Sequence, residues 1–401
     1  MEDVIIVGGG PVGFITALGL AQAGVRVHVI EAEPQIINSP RAAVYFWSVL
    51  DGLERLGILE DAEAAGVRKQ DYTYLVKRTG ERVVYSLKIL QGRTPHPYNL
   101  HLGQHRLADI AMRRLKTFSN ATIRFGTRLQ GLRQDAEGVT LSVMTERETA
   151  ELRARWVIGA DGAASTVRRL LGLSFDGMTW AERFVATNVY YDFERNGYSR
   201  STFVIDDRFG AVIAILNNDG LWRCTYMEDA TLPEETFLER LPGAYESILP
   251  GQGSYELERA SPYRMHQRSA QQYRVGRVVL AGDAAHVTNP TGGLGLTSGL
   301  FDSYALYPAL TAVILDGAAD EVLDRYAAAR RDTFINQVSP QATANKQLIY
   351  HANGGGQSLE QALAGLRRLA VDPEFLHQRL MFTKSLETLP LLGGPRRGLE
   401  E

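Results

Sequence analysis

The chain has 401 residues and a formal net charge of −3, and 45% of its residues are hydrophobic. This length exceeds one ordinary domain, so we expect two intertwined lobes. The near-balanced charge gives no reason to expect a nucleic acid or an anionic membrane as a partner. A single cysteine, Cys224, excludes disulfides within the chain and any multi-cysteine metal site, and it fits a reducing cytoplasm. We predict no metal site, no signal peptide and no membrane span.

The first residues have the pattern of a strand that leads into a phosphate-binding turn. A β-branched apolar run at Val4–Val7 predicts a strand buried on both faces. It is followed by a G-x-G-x-x-G motif at Gly8, Gly10 and Gly13. In this motif the first glycine permits a tight turn, the second lets the backbone approach a pyrophosphate, and the third lets the next helix pack closely.

A helix, a second strand and an acidic residue complete the unit. The helix is predicted over Pro11–Ala23, with proline in its first turn, and its free N–H groups and dipole would face a diphosphate. The strand at Arg26–Ile30 brings Glu31 to the position where a carboxylate accepts hydrogen bonds from an adenosine ribose. The complete unit predicts dinucleotide binding, and Glu31 favours an unphosphorylated ribose.

Beyond this unit the predicted elements change character along the chain. A helix is predicted from Arg41 to Leu56, ending at Gly57. From about Phe175 to Tyr263 the apolar runs indicate an antiparallel sheet without long intervening helices. A buried strand returns at Arg277–Ala281, and the tail after Ala342 is predicted to be mostly helical.

Taken in order, these segments resemble the single-component FAD-dependent aromatic hydroxylases, the family of para-hydroxybenzoate hydroxylase. The shared motifs also include Ser39–Ala42, Asp161–Arg168, Gly276–His286 and Pro290–Gly295, and they cover nearly the whole chain. The resemblance implies an α/β fold in which a Rossmann-like FAD-binding domain is intertwined with a mostly antiparallel β-sheet substrate domain, followed by C-terminal helices. The implied FAD-binding parts are residues 1–71, 98–174 and 271–335, the substrate parts are 72–97 and 175–270, and 336–401 is the helical segment.

The resemblance also assigns cofactor contacts to individual residues. Asp283 would bind the ribityl chain, while Arg41 and Gln104 would approach the pyrophosphate and ribityl region. Many family members carry Asn where this chain has Thr297, so a side-chain contact near the flavin would be made differently. The implied cofactor-binding set is Gly8, Gly10, Pro11, Val12, Gly13, Glu31, Ala32, Arg41, Gln104, Asp161, Gly162, Gly282, Asp283, Pro290, Gly293, Leu294, Gly295 and Leu296.

Physical chemistry supports two of these assignments. Asp283 follows a predicted buried strand, a geometry that projects a carboxylate toward polyol hydroxyls. The glycines of Gly292–Gly295 leave a loop without side chains, whose N–H groups can face the flavin pyrimidine edge. Negative charge develops there on reduction, so such donors stabilise the reduced cofactor. The alternative interpretation is a helix cap at Asp283 and an ordinary loop.

The activity implied by the resemblance is hydroxylation of a phenolic aromatic substrate. NAD(P)H, a transient co-substrate, would reduce non-covalently bound FAD, and O2 would give a C4a-hydroperoxide that transfers OH to the ring. Segments in Thr179–Arg200 and Asn289–Leu296, and Asn345, resemble the para-nitrophenol 4-monooxygenases. The alternatives are a hydroxylase of a carboxylated phenol or N-heterocycle, a flavin reductase or dehydrogenase that does not use oxygen, and a non-catalytic FAD-binding sensor. The protein would be a monomer or homodimer.

A hydroxylated phenol needs a partner for its proton, and four residues are candidates. They are His101, Tyr191, Tyr226 and His286. We place His101 first, because imidazole titrates near neutrality, and expect both tyrosines to face the pocket. The alternative for the tyrosines is core packing, and for His286 a structural hydrogen bond.

The remaining candidates concern substrate and nucleotide binding. Tyr45, Trp47 and Pro290 would contact the aromatic ring. Arg223 or Arg183 would bind a substrate carboxylate. Arg264 and Arg268 are candidates for a transient NAD(P)H-binding surface, although exposed arginines usually serve only solvation.

Overall fold

The computed structural model describes residues 1–38, 42–146, 148–251, 253–351 and 359–392. Arg41 therefore lies outside the described residues. The described residues form nineteen strands, β1 Glu2–Val7, β2 Val27–Ile30, β3 Val44–Tyr45, β4 Val67–Lys69, β5 Asp71–Val76, β6 Glu81–Ser86, β7 Asn99–His101, β8 Ala121–Arg124, β9 Arg128–Gln134, β10 Val139–Met144, β11 Thr149–Gly159, β12 Phe175–Tyr190, β13 Ser201–Ile205, β14 Ala211–Ile215, β15 Leu221–Asp229, β16 Glu256–Ala270, β17 Arg274–Val275, β18 Val278–Leu280 and β19 His286–Val287.

The same residues form eleven α-helices and a π-helical turn at Phe334–Val338. The helices are α1 Pro11–Gln22, α2 Trp47–Arg55, α3 Leu59–Ala65, α4 Gln104–Leu115, α5 Thr166–Leu170, α6 Phe237–Ile248, α7 Leu294–Leu315, α8 Glu321–Thr333, α9 Ser339–Tyr350, α10 Leu359–Val371 and α11 Pro373–Ser385. The fold is the predicted mixed α/β architecture with C-terminal helices.

The first sheet is built around the N-terminal unit. Its order is β17-β18-β11-β1-β2-β8, with β9 and β10 continuing from β11. Strand β1 pairs in parallel with both β11 and β2, and Val4, Ile5 and Ile6 are fully buried. Parallel pairing across α1 is the expected strand–helix–strand unit, and the carboxyl ends of β1, β11 and β18 lie side by side.

The second sheet has the order β19-β16-β12-β15-β14-β13-β5-β6. Its pairings are antiparallel, except for the parallel pair of β13 with β5. The strands are long in the middle, where β12 has 16 residues and β16 has 15. This sheet is the mostly antiparallel one that was predicted, whereas the division into numbered domain segments stays a prediction.

The two faces of the second sheet pack against different helices. One face, which we call the α6 face, buries Val185, Cys224 and Ile213 in one cluster with Leu241 and Tyr245 of α6. The opposite face is called the α9 face, because Phe184 clusters with Ile349 and Tyr350 of α9. Since side chains alternate along a strand, a one-residue step decides which helix a side chain meets.

One prediction of local structure is wrong. The segment predicted as a helix from Arg41 begins its described part with a strand, and α2 begins only at Trp47. In β3, Val44 pairs with His101 and Tyr45 with Leu100 of β7. This tertiary pairing overrides the local helical pattern.

Helix α7 is long and apolar enough to cross a membrane by length and composition, which the sequence analysis did not anticipate. However, 61% of its most apolar window is buried inside the protein. Asp302, in the middle of the helix, is fully buried and paired with His286 and Arg330. These features are those of a core helix.

Candidate active site

The three glycine-bearing segments converge at the ends of the parallel strands. Gly8 has a φ of +114°, and a Cβ atom there would lie 2.3 Å from the carbonyl oxygen of Ala160, next to Asp161. A Cβ atom at Gly282, which has a φ of +61°, would lie 2.9 Å from the Val12 side chain. The structure therefore brings the motifs at residues 8–13, 161–162 and 282–283 into direct contact.

The glycines of the first motif serve different purposes. A Cβ atom at Gly13 would lie 2.0 Å from the Gly8 carbonyl oxygen, so Gly13 is needed for packing of α1. A Cβ atom at Gly10 would meet nothing within 4 Å. Gly10 is also the N-cap of α1, has no side-chain cap, and is followed by Pro11. The open space at this helix N-terminus fits a diphosphate group.

Glu31 is held in place at the end of β2. Its carboxylate accepts hydrogen bonds from the backbone N–H of Gly9 at 2.6 Å and of Glu33 at 2.9 Å. Glu31 and the adjacent Ala32 remain partly exposed. A carboxylate with two oxygens can still accept a hydroxyl hydrogen bond on its free lone pairs, so this position fits a ribose.

Asp283 is the exposed member of an otherwise buried turn. It lies in a short 3-10 turn, Gly282–Ala284, whose other two residues are buried. The turn is anchored from below, because the Gly282 N–H donates to the Asp302 carboxylate at 2.9 Å. An exposed carboxylate on a rigid turn fits the ribityl hydroxyls of FAD.

His286 contacts the Asp302 carboxylate that anchors this turn, and it is buried. Its Nε2 is 2.7 Å from Asp302 Oδ2, and Arg330 Nε donates to Asp302 Oδ1 at 2.6 Å. Burial raises the pKa of Asp302, but His286 and Arg330 outweigh it and hold the pKa at about 2. His286 also stacks on Phe334 at 4.6 Å and is buried. Its geometry is that of the structural hydrogen bond weighed above.

Two successive glycines shape the loop before α7. Gly292 and Gly293 have φ values of +90° and +68°, and Gly293 N–H donates to the Pro290 carbonyl at 3.0 Å. Pro290, Gly293, Gly295 and Leu296 are partly exposed, whereas Leu294 is buried. Thr297, the departure from the family pattern, donates to the Gly293 carbonyl at 2.9 Å and so supports the loop.

The aromatic residue beside this loop is Phe46, which the sequence analysis missed. A Cβ atom at Gly293 would lie 3.4 Å from the Phe46 ring and 3.9 Å from Val44. Tyr45 was predicted to contact the substrate ring, but it points the other way and is fully buried in the core. Its hydroxyl has no partner among the described residues, and burial raises its pKa. Alternation along β3 accounts for the difference.

Trp47 is also packed inside the protein. Its Nε1 donates to the Leu380 carbonyl of α11 at 3.2 Å, and its ring clusters with Tyr72 and Leu90. Trp47 is 5% exposed. It supports the wall behind the site, so its predicted contact with the substrate ring is not supported.

Asp161 caps the short helix α5. Its carboxylate accepts from the Ser165 hydroxyl at 2.5 Å and from the backbone N–H groups of Thr166 and Val167 at 2.6 and 3.1 Å. Burial raises the pKa of this carboxyl even though the hydrogen bonds oppose the rise. Gly162, with a φ of +77°, has open space beside it. Backbone groups at Gly162 thus remain the part of this motif best placed for a cofactor.

His101 does not have the environment predicted for it. The ring is fully buried, with Nδ1 3.1 Å from the Ile215 carbonyl and Nε2 3.4 Å from the Tyr72 hydroxyl. Burial lowers the pKa of His101 to about 4. The expectation that this imidazole titrates near neutrality is therefore wrong.

Gln104, which begins α4, is partly exposed, and its N–H donates to the Ala42 carbonyl at 3.1 Å.

The prediction that Tyr191 and Tyr226 face the substrate pocket is not supported. Both belong to the cluster on the α6 face of the second sheet. Tyr191 donates its hydroxyl to the Pro250 carbonyl, and the Tyr226 hydroxyl has no partner among the described residues. Tyr226 lies on β15 as predicted, where alternation turns its side chain away from α9, whereas Tyr191 directly follows the last residue of β12 and is not on the strand.

The two candidate cations for a substrate carboxylate lie on opposite faces. Arg183 is bound to Glu228, with Nε donating at 2.7 Å, on the side opposite its neighbour Phe184. Arg223 lies on the α9 face, is 8% exposed, and donates from Nε to Asn188 at 2.8 Å. Arg183 is therefore excluded as a pocket cation by its ion pair, and Arg223 remains.

Arg223 is close to the first turn of α4. Burial lowers the pKa of Arg223 to about 10, while Tyr263 and Glu258 act in the opposite direction. The pKa of His105 is lowered by burial and by nearby arginines, among them Arg223. His105 and Asn188 were not singled out in the sequence, because nothing local to either shows that the sheet and α4 meet here.

Arg264 and Arg268 lie on the same side of β16. Arg268 donates to the Thr179 hydroxyl at 2.9 Å, and that hydroxyl is 2.8 Å from Nδ1 of His266. Arg264 is exposed and donates to the Ala230 carbonyl at 3.2 Å. The two arginines fit a weakly bound anion such as a nucleotide phosphate, and the unforeseen His266 lies between them with its pKa lowered by burial and by both arginines.

Two open cavities lie elsewhere. The larger, about 350 Å³, lies between α4 and the segment after β2 and is lined by residues such as Gln35, His105 and Phe125. The other, about 280 Å³, lies at the end of the second sheet around Tyr191 and Trp222. Neither is lined by the loop at Pro290–Gly293. The candidate site is instead the place where the converging motifs join three distant segments of the chain.

Sequence comparison identifies the family. The profile described as FAD binding domain matches residues 1–341. The chain belongs to this family. FAD is therefore its cofactor, and the open space at Gly10 and the exposed Asp283 fit its diphosphate and ribityl parts.

Similar proteins extend over nearly the whole chain. It is 44% identical over 388 residues to 6-hydroxy-3-succinoylpyridine 3-monooxygenase of Pseudomonas putida, covering 96% of this chain and 98% of that protein. It is 42% identical over 399 residues to para-nitrophenol 4-monooxygenase of a Pseudomonas species, covering 96% and 99%. The crystal structure of p-nitrophenol 4-monooxygenase from Pseudomonas putida DLL-E4 has a TM-score of 0.93 at 41% identity, over 96% and 98% of the two chains. This protein is thus an FAD-dependent aromatic monooxygenase, as predicted, and it acts on a small aromatic substrate.

Proposed function

We propose that this enzyme places oxygen on an aromatic ring at the carbon para to a ring hydroxyl, where an electron-withdrawing substituent is already attached. The names of the two similar enzymes describe such substrates. In para-nitrophenol the 4-position carries the nitro group, and in 6-hydroxy-3-succinoylpyridine the 3-position carries the succinoyl group. Each attacked position is para to the hydroxyl. Para-nitrophenol is our first candidate substrate.

The observation in the structure that carries this proposal is the buried Arg223. It is a nine-tenths buried cation on the α9 face, close to His105. A cation in such an environment interacts strongly with a substrate anion, because little water screens it. A nitrophenolate, or a ring bearing a carboxylate side chain, would be such an anion.

Bound FAD would supply the redox chemistry, with NAD(P)H as the reductant and O2 as the source of the oxygen atom. The protein would bind and orient the cofactor and the substrate. Gly10 and the start of α1 would hold the diphosphate, Asp283 the ribityl chain, and the N–H groups of the loop before α7 the flavin pyrimidine edge. Phe46 and Val44 would limit the space beside the ring. The side chains of Arg264 and Arg268, with His266, would bind NAD(P)H transiently.

A carboxylated N-heterocycle is the second candidate substrate. It is favoured by the relative at 44% identity, whose named substrate is a hydroxypyridine with a succinoyl side chain, and by the same Arg223. A cytoplasmic location and a monomeric or homodimeric state stay predictions.

A substrate panel tests the proposal. The holoenzyme would be given para-nitrophenol, meta-nitrophenol, para-chlorophenol, para-hydroxybenzoate and a 6-hydroxypyridine with a 3-acyl carboxylate chain. The rate of product formation is compared with the rate of hydrogen peroxide release. We expect efficient product formation only with rings that carry the substituent para to the hydroxyl. Equal turnover of meta-nitrophenol would overturn the para requirement, and reduction of a substrate without oxygen uptake would favour the reductase alternative.

A further inference from the structure

The loop Pro290–Gly293, which we call the flavin loop, is poorly constrained by its own sequence. Two consecutive glycines with positive φ values give it an unusually wide choice of backbone conformations. The Thr291 and Gly293 N–H groups already donate to Asn289 and Pro290, so the donors left for a cofactor are the Gly292 N–H and those of the first turn of α7. They are useful to a cofactor only if they are held in one orientation. Besides Thr297 of α7, the contacts that hold the loop come from β16 and from the C-terminal helices.

The first contact is a buried chain of amides that leads to α9. Gln267 of β16 donates from Nε2 to the Ser339 carbonyl and to the Thr343 hydroxyl, each at 2.7 Å. Because a carbonyl can only accept, the Gln267 Oε1 must face the other way, where it accepts from Asn289 Nδ2 at 3.0 Å. The oxygen of Asn289 then accepts from the Thr291 N–H at 3.1 Å. Every member has one allowed orientation.

The second contact comes from Asn345 of α9. A Cβ atom added to Gly292 would lie only 2.2 Å from the Asn345 Nδ2. The same Nδ2 donates to the Thr291 carbonyl at 3.4 Å. Its Oδ1 accepts from Gln341 at 2.8 Å and from Arg379 of α11 at 3.3 Å. Gly292 is therefore required both by its φ and by the close approach of Asn345.

We infer that Asn345 and Gln267 are positioning residues, through which helices α9 and α11 set the orientation of the flavin loop and thereby the reduction potential of FAD. The inference rests on the proposed placement of FAD beside this loop. Donors aimed at the pyrimidine edge stabilise the negative charge of the reduced flavin. Loosening the loop should destabilise that form more than the oxidised form.

The test compares Asn345→Ala with Asn336→Ala, an exposed asparagine whose side chain donates to Asp332. Asn345 is partly exposed, so its replacement is compatible with folding. Each variant is measured for the FAD reduction potential, for the FAD dissociation constant by fluorescence titration, and for the melting temperature of the apoprotein. In Asn345→Ala we expect a more negative potential and FAD binding weakened roughly two- to tenfold, the range for one net hydrogen bond. The apoprotein should melt like the control.

The outcomes separate this inference from the proposed function. A parent protein that binds no FAD would overturn both. A parent that binds FAD, with the same potential and affinity in both variants, would overturn the role of Asn345 alone. If the Asn345→Ala apoprotein melts well below the control, Gln341→Ala decides, since it removes the donor that orients Asn345 and an acceptor for Arg379 of α11, while Asn345 itself stays in place. An unchanged potential in that variant would also contradict the inference.

Discussion

At the scale of single residues, burial decides which candidates can take part in proton transfer. His101 was the leading candidate by residue type, yet its pKa of about 4 leaves it neutral at neutral pH. Tyr226 is on strand β15 and Tyr191 directly follows β12, but both side chains belong to the cluster on the α6 face. No feature of the sequence near these residues distinguishes a buried imidazole from an accessible one, so the proton partner was the least predictable part of the site.

The environment of His101 predicts a particular dependence of stability on pH. The unfolded chain protonates this histidine near its ordinary pKa of about 6.5, whereas the folded protein resists protonation down to about pH 4. The contribution is therefore present above pH 6.5 and is lost as the pH falls toward 4, on the order of 3 kcal/mol in free energy of unfolding. Urea unfolding at pH 7.5 and 4.5 should show a larger loss for the parent than for His101→Gln. Equal losses would contradict the assigned environment.

Arg223 predicts a difference between substrates. Arg223→Met should lower kcat/KM for a carboxylated or nitro-substituted phenol by roughly 10- to 100-fold, the range for a charge-assisted hydrogen bond. A neutral para-chlorophenol should be affected less, and Arg223→Lys should recover part of the loss. Arg195→Met, at an exposed site, is the control. The same loss for all substrates would mean that Arg223 supports the sheet and does not recognise the substrate.

Asp283 predicts an effect on cofactor affinity. Asp283→Ala removes an exposed carboxylate from the turn that meets Val12. The lost hydrogen bonds are worth about 1.5–3 kcal/mol, so FAD affinity should fall by roughly one to two decades. Asp219→Ala, an exposed acid far along the chain, controls for charge. An unchanged FAD titration would show that the motif is misassigned.

At the scale of elements, patterns with a strong period were predictable and short elements were not. The unit β1–α1–β2 follows directly from the apolar run, the glycines and Glu31. Strand β3 was missed, because it has two residues and exists only through its pairing with β7. For the same reason Tyr45 was predicted beside the substrate, whereas the structure has Phe46 beside the flavin loop.

The buried ion cluster joins several elements and predicts a large effect on stability. Asp302 of α7 links Arg330 of α8, His286 of β19 and the Gly282 turn. Asp302→Asn should lower the free energy of unfolding by about 3–5 kcal/mol, because it leaves a buried arginine without its counter-charge. Chemical denaturation of the apoprotein measures this, with Asp316→Asn at the end of α7 as the control. A loss below about 1 kcal/mol would show that the cluster is not a major stabilising feature.

At the scale of the whole molecule, the order of motifs predicted more than any single motif did. Segments near residues 10, 161 and 283 are far apart in sequence, and their contact in the structure explains why all three accompany one cofactor. The role of the C-terminal helices was not predictable, because Gln267 and Asn345 act through contacts that no local pattern reveals.

The purified protein should be yellow, and heat or acid should release FAD into the supernatant. Flavin that stays with the precipitate would contradict non-covalent binding.

This protein is a monooxygenase, and so it should oxidise its ring substrate with molecular oxygen. The most direct test is turnover of para-nitrophenol by the FAD-loaded enzyme and NAD(P)H under isotopically labelled O2, with the product analysed by mass spectrometry. We predict one labelled oxygen atom in the product, on the ring carbon that carried the nitro group, and nitrite in solution. NAD(P)H consumption that yields only hydrogen peroxide across the whole substrate panel, or a product oxygen that comes from water, would contradict the account.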